Sequence, residues 1–286
     1  MIRNIFLLIM LTIISSASYA EEKFESAYDR VMATKTLKCA YLPYEPYIKK
    51  DLLTGKLSGI IIDYVDEVAK KSGLTVDWAG EVNIDQVVPA MNAKRFDAFC
   101  VPATPDKNWA EKLGFEASLG GLPYYTYVPF DSKITEDELQ TAKFEVVDGY
   151  ALTAFTKIVF PKAEYISLPQ SVSVAEMYDQ LRYKKVDAHV NEHISASNYM
   201  KNNPNIIRRY SDKPVIAAQM FLVAAHGDIK MREFISKTFD ASGGENAKLM
   251  SSLLEKYGVE KGSWLVGGDC KTETGDNGEK LCRIND

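Results

Sequence analysis

The sequence predicts an α/β protein of two lobes. Three observations carry that prediction. Short apolar strands alternate with helical segments as β-α-β-α-β up to about residue 101. The same alternation restarts at Lys143. An extended aromatic run, Tyr124 to Phe130, and a later apolar strand, Gln219 to Ala225, bracket the second set. The chain is therefore expected to cross between lobes near 125 and again near 220.

The elements follow in order. Leu37-Lys38-Cys39-Ala40-Tyr41 reads as a strand stopped by Pro43 and Pro46, which cannot continue a ladder. Gly59 to Ser72 places Ile61, Tyr64, Val65, Val68 and Ala69 at helical spacing, and Gly73 ends that helix. Leu74–Trp78 is a second strand, Ile84–Lys94 a second helix, and Phe96–Val101 a third strand. In the second lobe, Lys143–Val147 is a strand ending at Gly149, followed by a helix over Leu152–Val159 and a strand over Glu164–Leu168. A helix from Ser173 to Arg182 carries the Ser173/Glu176 capping-box pattern. Val186–Val190 is a strand and Ile194–Lys201 a helix, while Ile229–Phe239 and Ala247–Tyr257 are amphipathic helices.

Composition narrows the function classes. A chain of 286 residues, 46% hydrophobic and 26% charged, is neither a disordered tail nor a small disulfide scaffold. A net charge of −5 argues against a nucleic-acid partner, which calls for a basic face. No Gly-rich phosphate loop and no Cys-x-x-Cys spacing is present, so neither a cofactor nor a metal is expected.

The first twenty residues read as a secretory leader. One cation, Arg3, precedes the apolar run Ile5 to Ile14, and Ser18-Tyr19-Ala20 offers small residues at the positions a signal peptidase reads. The run is shorter than the ~20 residues a bilayer span needs. No Cys follows the cleavage point, so a periplasmic protein without a lipid anchor is expected. The expected organisation is a leader over 1–20, the first part of lobe 1 over 21–124, lobe 2 over 125–220, and the rest of lobe 1 with a C-terminal tail over 221–286.

Export makes cysteine pairing expected. Cys270 and Cys282 flank a polar, Gly-containing loop with almost nothing apolar to hold it, and a disulfide is expected there. Cys39 and Cys100 lie in apolar strands that would run side by side, within disulfide reach, and their pairing stays open.

Local motifs then bring a family into view. Leu37–Tyr41, Tyr44-Glu45-Pro46-Tyr47 and Gly55 through Asp63 form a strand, a Pro-aromatic pair and a Gly-x-x-x-Asp helix entry. Arg95-Phe96-Asp97-Ala98 and Lys185-Val186-Asp187-Ala188 repeat an Asp-Ala helix exit, once in each lobe. Over about residues 30–265 this order resembles the family 3 extracellular solute-binding proteins, the amino-acid receptors of ABC importers. The resemblance implies a type II periplasmic-binding-protein fold, each lobe a mostly parallel sheet covered by helices, with a ligand in the cleft. That agrees with the general placement of ligands beyond the carboxyl ends of strands in open α/β sheets.

The resemblance also implies site residues. A free amino acid is a zwitterion, and burying it requires a partner for each charge. Thr104-Pro105-Asp106-Lys107 occupies the place of the family's Thr-x-x-Arg, so Thr104 and Lys107 would hold the carboxylate, although Lys lacks the bidentate fork of Arg. Gly149-Tyr150-Ala151 keeps the Gly of a Gly-x-Ser/Thr turn and loses the hydroxyl, leaving the Ala151 amide as a donor. Glu192 stands where the family's amine-binding Asp would be; as a residue at a helix start it reads equally as a helix cap. Tyr44 is implied to stack on the ligand, with Tyr41 and Tyr47 nearby. An acid beside three tyrosines, with a weakened carboxylate site, leads to the expectation that cationic or zwitterionic solutes bind better than dicarboxylates.

His189-Val190-Asn191-Glu192-His193 matches the inverzincin pattern. That chemistry needs both imidazoles on one helical face, and here one lies in a strand and the other starts a helix. The expected function is a monomeric periplasmic receptor, without catalysis, that hands a small polar solute to an inner-membrane ABC permease. Two alternatives remain: an enzyme of the cyclohexadienyl dehydratase kind on the same fold, with Glu192 as its acid, and a ligand-sensing receptor.

Overall fold

A computed structural model describes residues 24–105, 107–267, 271–274 and 280–283. The leader over 1–20 and the expected Cys270–Cys282 bridge lie outside the described residues.

Lobe 1 begins with α1 (Ala27–Thr34), β1 (Thr36–Tyr41), the hairpin β2 (Lys49–Lys50) and β3 (Leu57–Ser58), α2 (Ile60–Lys71), β4 (Thr75–Glu81), α3 (Ile84–Asn92), β5 (Ala98–Ala103) and the short α4 (Lys107–Ala110). The long strand β6 (Leu113–Pro129) leads into lobe 2. There follow α5 (Glu136–Leu139), β7 (Lys143–Val147), α6 (Ala151–Val159), β8 (Glu164–Leu168), α7 (Val174–Arg182), β9 (His189–Glu192), α8 (His193–Asn202) and β10 (Ile207–Arg209). The return strand β11 (Ile216–Ala225) precedes α9 (Ile229–Phe239), α10 (Gly244–Lys256) and the pair β12 (Lys271–Thr274) and β13 (Lys280–Arg283).

β1 runs parallel to both β4 and β5, and β7 runs parallel to β8. The join between lobes is antiparallel. β6 pairs with β11 from Leu113↔Ala225 to Tyr124↔Ile216, and its far end pairs with β9 and β10. One sheet, in the order β10-β6-β11-β5-β1-β4, therefore runs through both lobes. The sequence reading placed an extended run only at 124–130. The strand begins eleven residues earlier because its glycines make room for neighbours: a Cβ on Gly114 would meet the Arg232 side chain at 2.5 Å, and one on Gly120 the Trp264 indole at 2.3 Å.

The motifs have physical roles. The apolar stripe of α2 is buried in the lobe 1 core. Gly59 enters that helix at φ +132°, where a Cβ would lie 2.3 Å from the Tyr47 carbonyl oxygen. The same carbonyl accepts the Ile61 amide at 3.1 Å. Asp63 accepts the Tyr257 hydroxyl at 2.9 Å and the Lys256 ammonium at 2.6 Å, fixing α2 to the end of α10. The two Asp-Ala exits do one job in two places. Asp97 accepts the Lys38 amide at 2.6 Å and Asp187 accepts the Lys143 amide at 2.9 Å. Each carboxylate thus pins the start of its lobe's first strand. Asp97 is buried and also holds the Arg30 guanidinium from α1.

Cys39 and Cys100 are bonded across β1 and β5, with Cα atoms 5.5 Å apart. The open alternative is thereby resolved as a disulfide. β12, which follows Cys270, and β13, which contains Cys282, pair antiparallel. Mass spectrometry of the unreduced protein is expected to find both cysteine pairs oxidised; a free thiol at Cys270 would contradict the expected tail bridge.

Candidate functional site

A cavity of about 760 Å³ lies between the lobes, within the 300–1,000 Å³ usual for small-molecule sites. Lobe 1 contributes the segment after β1, the end of β5 and the start of α3. Lobe 2 contributes the N-termini of α6 and α7 and the inner face of α8.

Of the residues singled out in the sequence, Tyr44, Thr104 and Ala151 line this cavity. Tyr44 stacks on Tyr47 with centroids 5.2 Å apart, and its hydroxyl donates to Glu192 at 3.1 Å. Burial, and then the Glu192 charge, push the Tyr44 phenol well above its ordinary range. The Thr104 hydroxyl is buried without a partner among the described residues. Ala151 is the first residue of α6, and Tyr150 before it makes no side-chain cap. Gly149, at φ +76°, opens that turn, and a Cβ there would meet the Gln170 carboxamide at 2.4 Å.

The others sit elsewhere. Glu192 is fully buried and outside the cavity lining. It caps α8, accepting the Ile194 amide at 2.6 Å and the Ser195 amide at 3.0 Å. Tyr47 is buried behind Tyr44, with its ring 5.6 Å from Trp264. Tyr41 turns towards Trp78, 6.3 Å away, and donates to Glu81 at 3.4 Å. Lys107 opens α4, and its side chain lies outside the described ones. His189 and His193 have separate partners: His189 meets the buried Glu145 at 2.6 Å, while His193 bonds Tyr127 at 3.0 Å and Glu260 at 2.7 Å. Among the described residues no group of three or more His, Cys, Asp or Glu could hold a metal ion.

Sequence reasoning missed most of the lining. Phe99, Val101 and Trp109 face the cavity from lobe 1, and Gln170, Asn191 and Asn198 from lobe 2. Their placement follows the rule that ligands meet the carboxyl ends of strands, which points to the residues at the end of β5 and after β8.

The profile of the bacterial extracellular solute-binding proteins, family 3, matches residues 37–241, more than half of the chain. The chain belongs to this family. This solute-binding protein is 24% identical over 239 residues to a probable histidine-binding protein of Campylobacter jejuni, covering 82% of this chain and 90% of the relative. Among solved structures it is similar to an ancestral amino acid-binding protein, a precursor of cyclohexadienyl dehydratase. That match has a TM-score of 0.66 at 20% identity and covers 81% of this chain and 99% of the other. It is also similar to a cysteine-binding protein from Campylobacter jejuni, with a TM-score of 0.65 at 17% identity, covering 86% and 96%. These likenesses establish the fold of the solute-binding protein as that of the type II periplasmic binding proteins.

Proposed function

We propose that this solute-binding protein is the periplasmic receptor of an ABC importer and closes around a free amino acid. The observation that supports this most is the convergence of Tyr44 from lobe 1 and the Ala151 helix start from lobe 2 on one cavity. In this reading Lys107, the Thr104 hydroxyl and the first amides of α6 hold the ligand carboxylate, and Tyr44 covers the ligand. Glu192 acts from behind, fixing the Tyr44 hydroxyl, with Tyr47 and Tyr41 packed in support. The moving bodies are residues 21–124 with 221–286, and residues 125–220. The protein works as a monomer and delivers its solute to an inner-membrane permease.

A thermal-shift screen of amino acids tests the reading, because a ligand that binds only the folded state stabilises it by about 2.7 kcal/mol at a hundred times its dissociation constant. Small-angle scattering is expected to show a smaller radius of gyration with saturating ligand; an unchanged radius would contradict closure. Sequencing the exported protein is expected to give Glu21 as its first residue. The family relatives named as binding proteins support binding without conversion. Incubation with prephenate is accordingly expected to leave it unchanged, and its loss would favour the dehydratase reading.

A further inference from the structure

The two walls of the cavity differ in chemistry. Lobe 1 is mainly apolar, with Ile84, Phe99, Val101 and Trp109, while lobe 2 sets carboxamides such as Gln170, Asn191 and Asn198 among aliphatic side chains such as Leu152 and Met177. Phe99 and Trp109 form an edge-to-face pair with centroids 6.0 Å apart, so the lobe 1 wall is an aromatic corner. Among the described lining residues the only charged side chain is Glu45, which is exposed.

We infer that the solute's side chain is uncharged and apolar, aromatic or large aliphatic, and lodges on this lobe 1 wall. The inference rests on the amino-acid reading above and names the class of amino acid. A side-chain carboxylate would lie against aromatic and aliphatic carbon. The proposed function assigns Lys107 to the ligand's α-carboxylate, and the described lining holds no cation for a second one. Glu45, the one acid of the described lining, is left to the ligand's α-ammonium, so a guanidinium or ammonium on the side chain would find no second acid there. Burying a charge without a partner is strongly unfavourable. The sequence-based expectation of a cationic solute depended on Glu192 facing the ligand. Its oxygens are instead engaged by the Ile194 and Ser195 amides and the Tyr44 hydroxyl. An apolar side chain on the lobe 1 wall turns the polar end of the ligand towards Thr104 at the end of β5 and the α6 amides and carboxamides of lobe 2, so the asymmetry also fixes the ligand's orientation.

Titration calorimetry of the exported protein with phenylalanine, leucine, arginine and glutamate tests this. Phenylalanine or leucine is expected to bind at least tenfold more tightly than arginine and glutamate, with a negative heat-capacity change. Ile84→Asp places an acid in the first turn of α3, where the helix dipole favours it. It is expected to weaken phenylalanine and leucine at least tenfold while leaving arginine equal or tighter. Arginine or glutamate binding more tightly than both apolar amino acids in the wild-type protein overturns the inference and leaves the receptor reading standing. No binding of any of the four, nor of the other amino acids in the thermal-shift screen, overturns both.

Discussion

Replacing Cys39 and Cys100 together by alanine is expected to cost about 4 kcal/mol of stability, the largest effect of any change considered. The chain-entropy model gives this figure for a crosslink closing a loop of 61 residues. Both sulfurs are fully buried in the lobe 1 core, between β1 and β5, so the double variant also loses packing there. Alanine is the appropriate replacement, since serine would add buried hydroxyls that need partners. Urea unfolding of the oxidised wild type and the double variant measures the difference, with the midpoint of the variant well below that of the wild type. Equal midpoints would mean that the bridge adds nothing. Dithiothreitol added to the unfolded wild type before refolding should reproduce the variant's stability.

Glu192→Ala is expected to lower stability by about 3 kcal/mol. The loss has two sources. A helix cap contributes typically ~1 kcal/mol, and α8 loses the acceptor for two of its first amides. The Tyr44 hydroxyl, which donates to Glu192, is left with only the Ser195 hydroxyl, itself already paired with Tyr178, a penalty of roughly 1–3 kcal/mol. An acid that only held the ligand amine could be removed with lost affinity at nearly constant stability. The structure reverses that emphasis, because a carboxylate that caps a buried helix cannot be removed without cost to the fold. Affinity falls as well, through the freed Tyr44 ring. Glu192→Gln keeps an acceptor and is expected to recover about half of the lost stability. Unfolding and calorimetry on both variants separate the two contributions. A Glu192→Ala protein as stable as the wild type would show that α8 finds another cap.

Which parts of this were legible in the sequence depended on how local their causes were. The helix starting at Ser173 was readable because its capping box lies within four residues, and the structure closes both of its bonds. Gly59 and Asp63 were readable as a pattern, but the reasons for them are distant: the Tyr47 carbonyl and the end of α10. β6 was half hidden because Gly114, Gly120, Gly121 and Pro123 read as loop residues when the side chains packed over them are unknown. The three tyrosines after β1 could not be told apart. Only Tyr44 reaches the cavity, and what separates it from Tyr41 and Tyr47 is packing against Trp78, Glu81 and Trp264, far away in the chain. Glu192 carried two readings of equal weight; it accepts the Ile194 and Ser195 amides as the cap of α8 and also the Tyr44 hydroxyl.

The position of β11 has a consequence for how the molecule is made. This strand lies between β5 and β6 at the centre of the through-running sheet, and Val223 pairs with Phe99. A chain emerging from its amino end presents β5 and the lobe 1 half of β6 long before β11 arrives. The parallel strands of lobe 2, by contrast, lie close together in sequence and are complete before residue 216 appears. Lobe 2 is thus able to assemble first, while lobe 1 waits with two apolar strand edges open, the state most prone to pairing with another chain. Closing so distant a pairing is also intrinsically slow. A circular permutant that places β11 ahead of β1 would shorten that wait, and the rate at which lobe 1 matures, more than its final stability, is the property such a rearrangement would change.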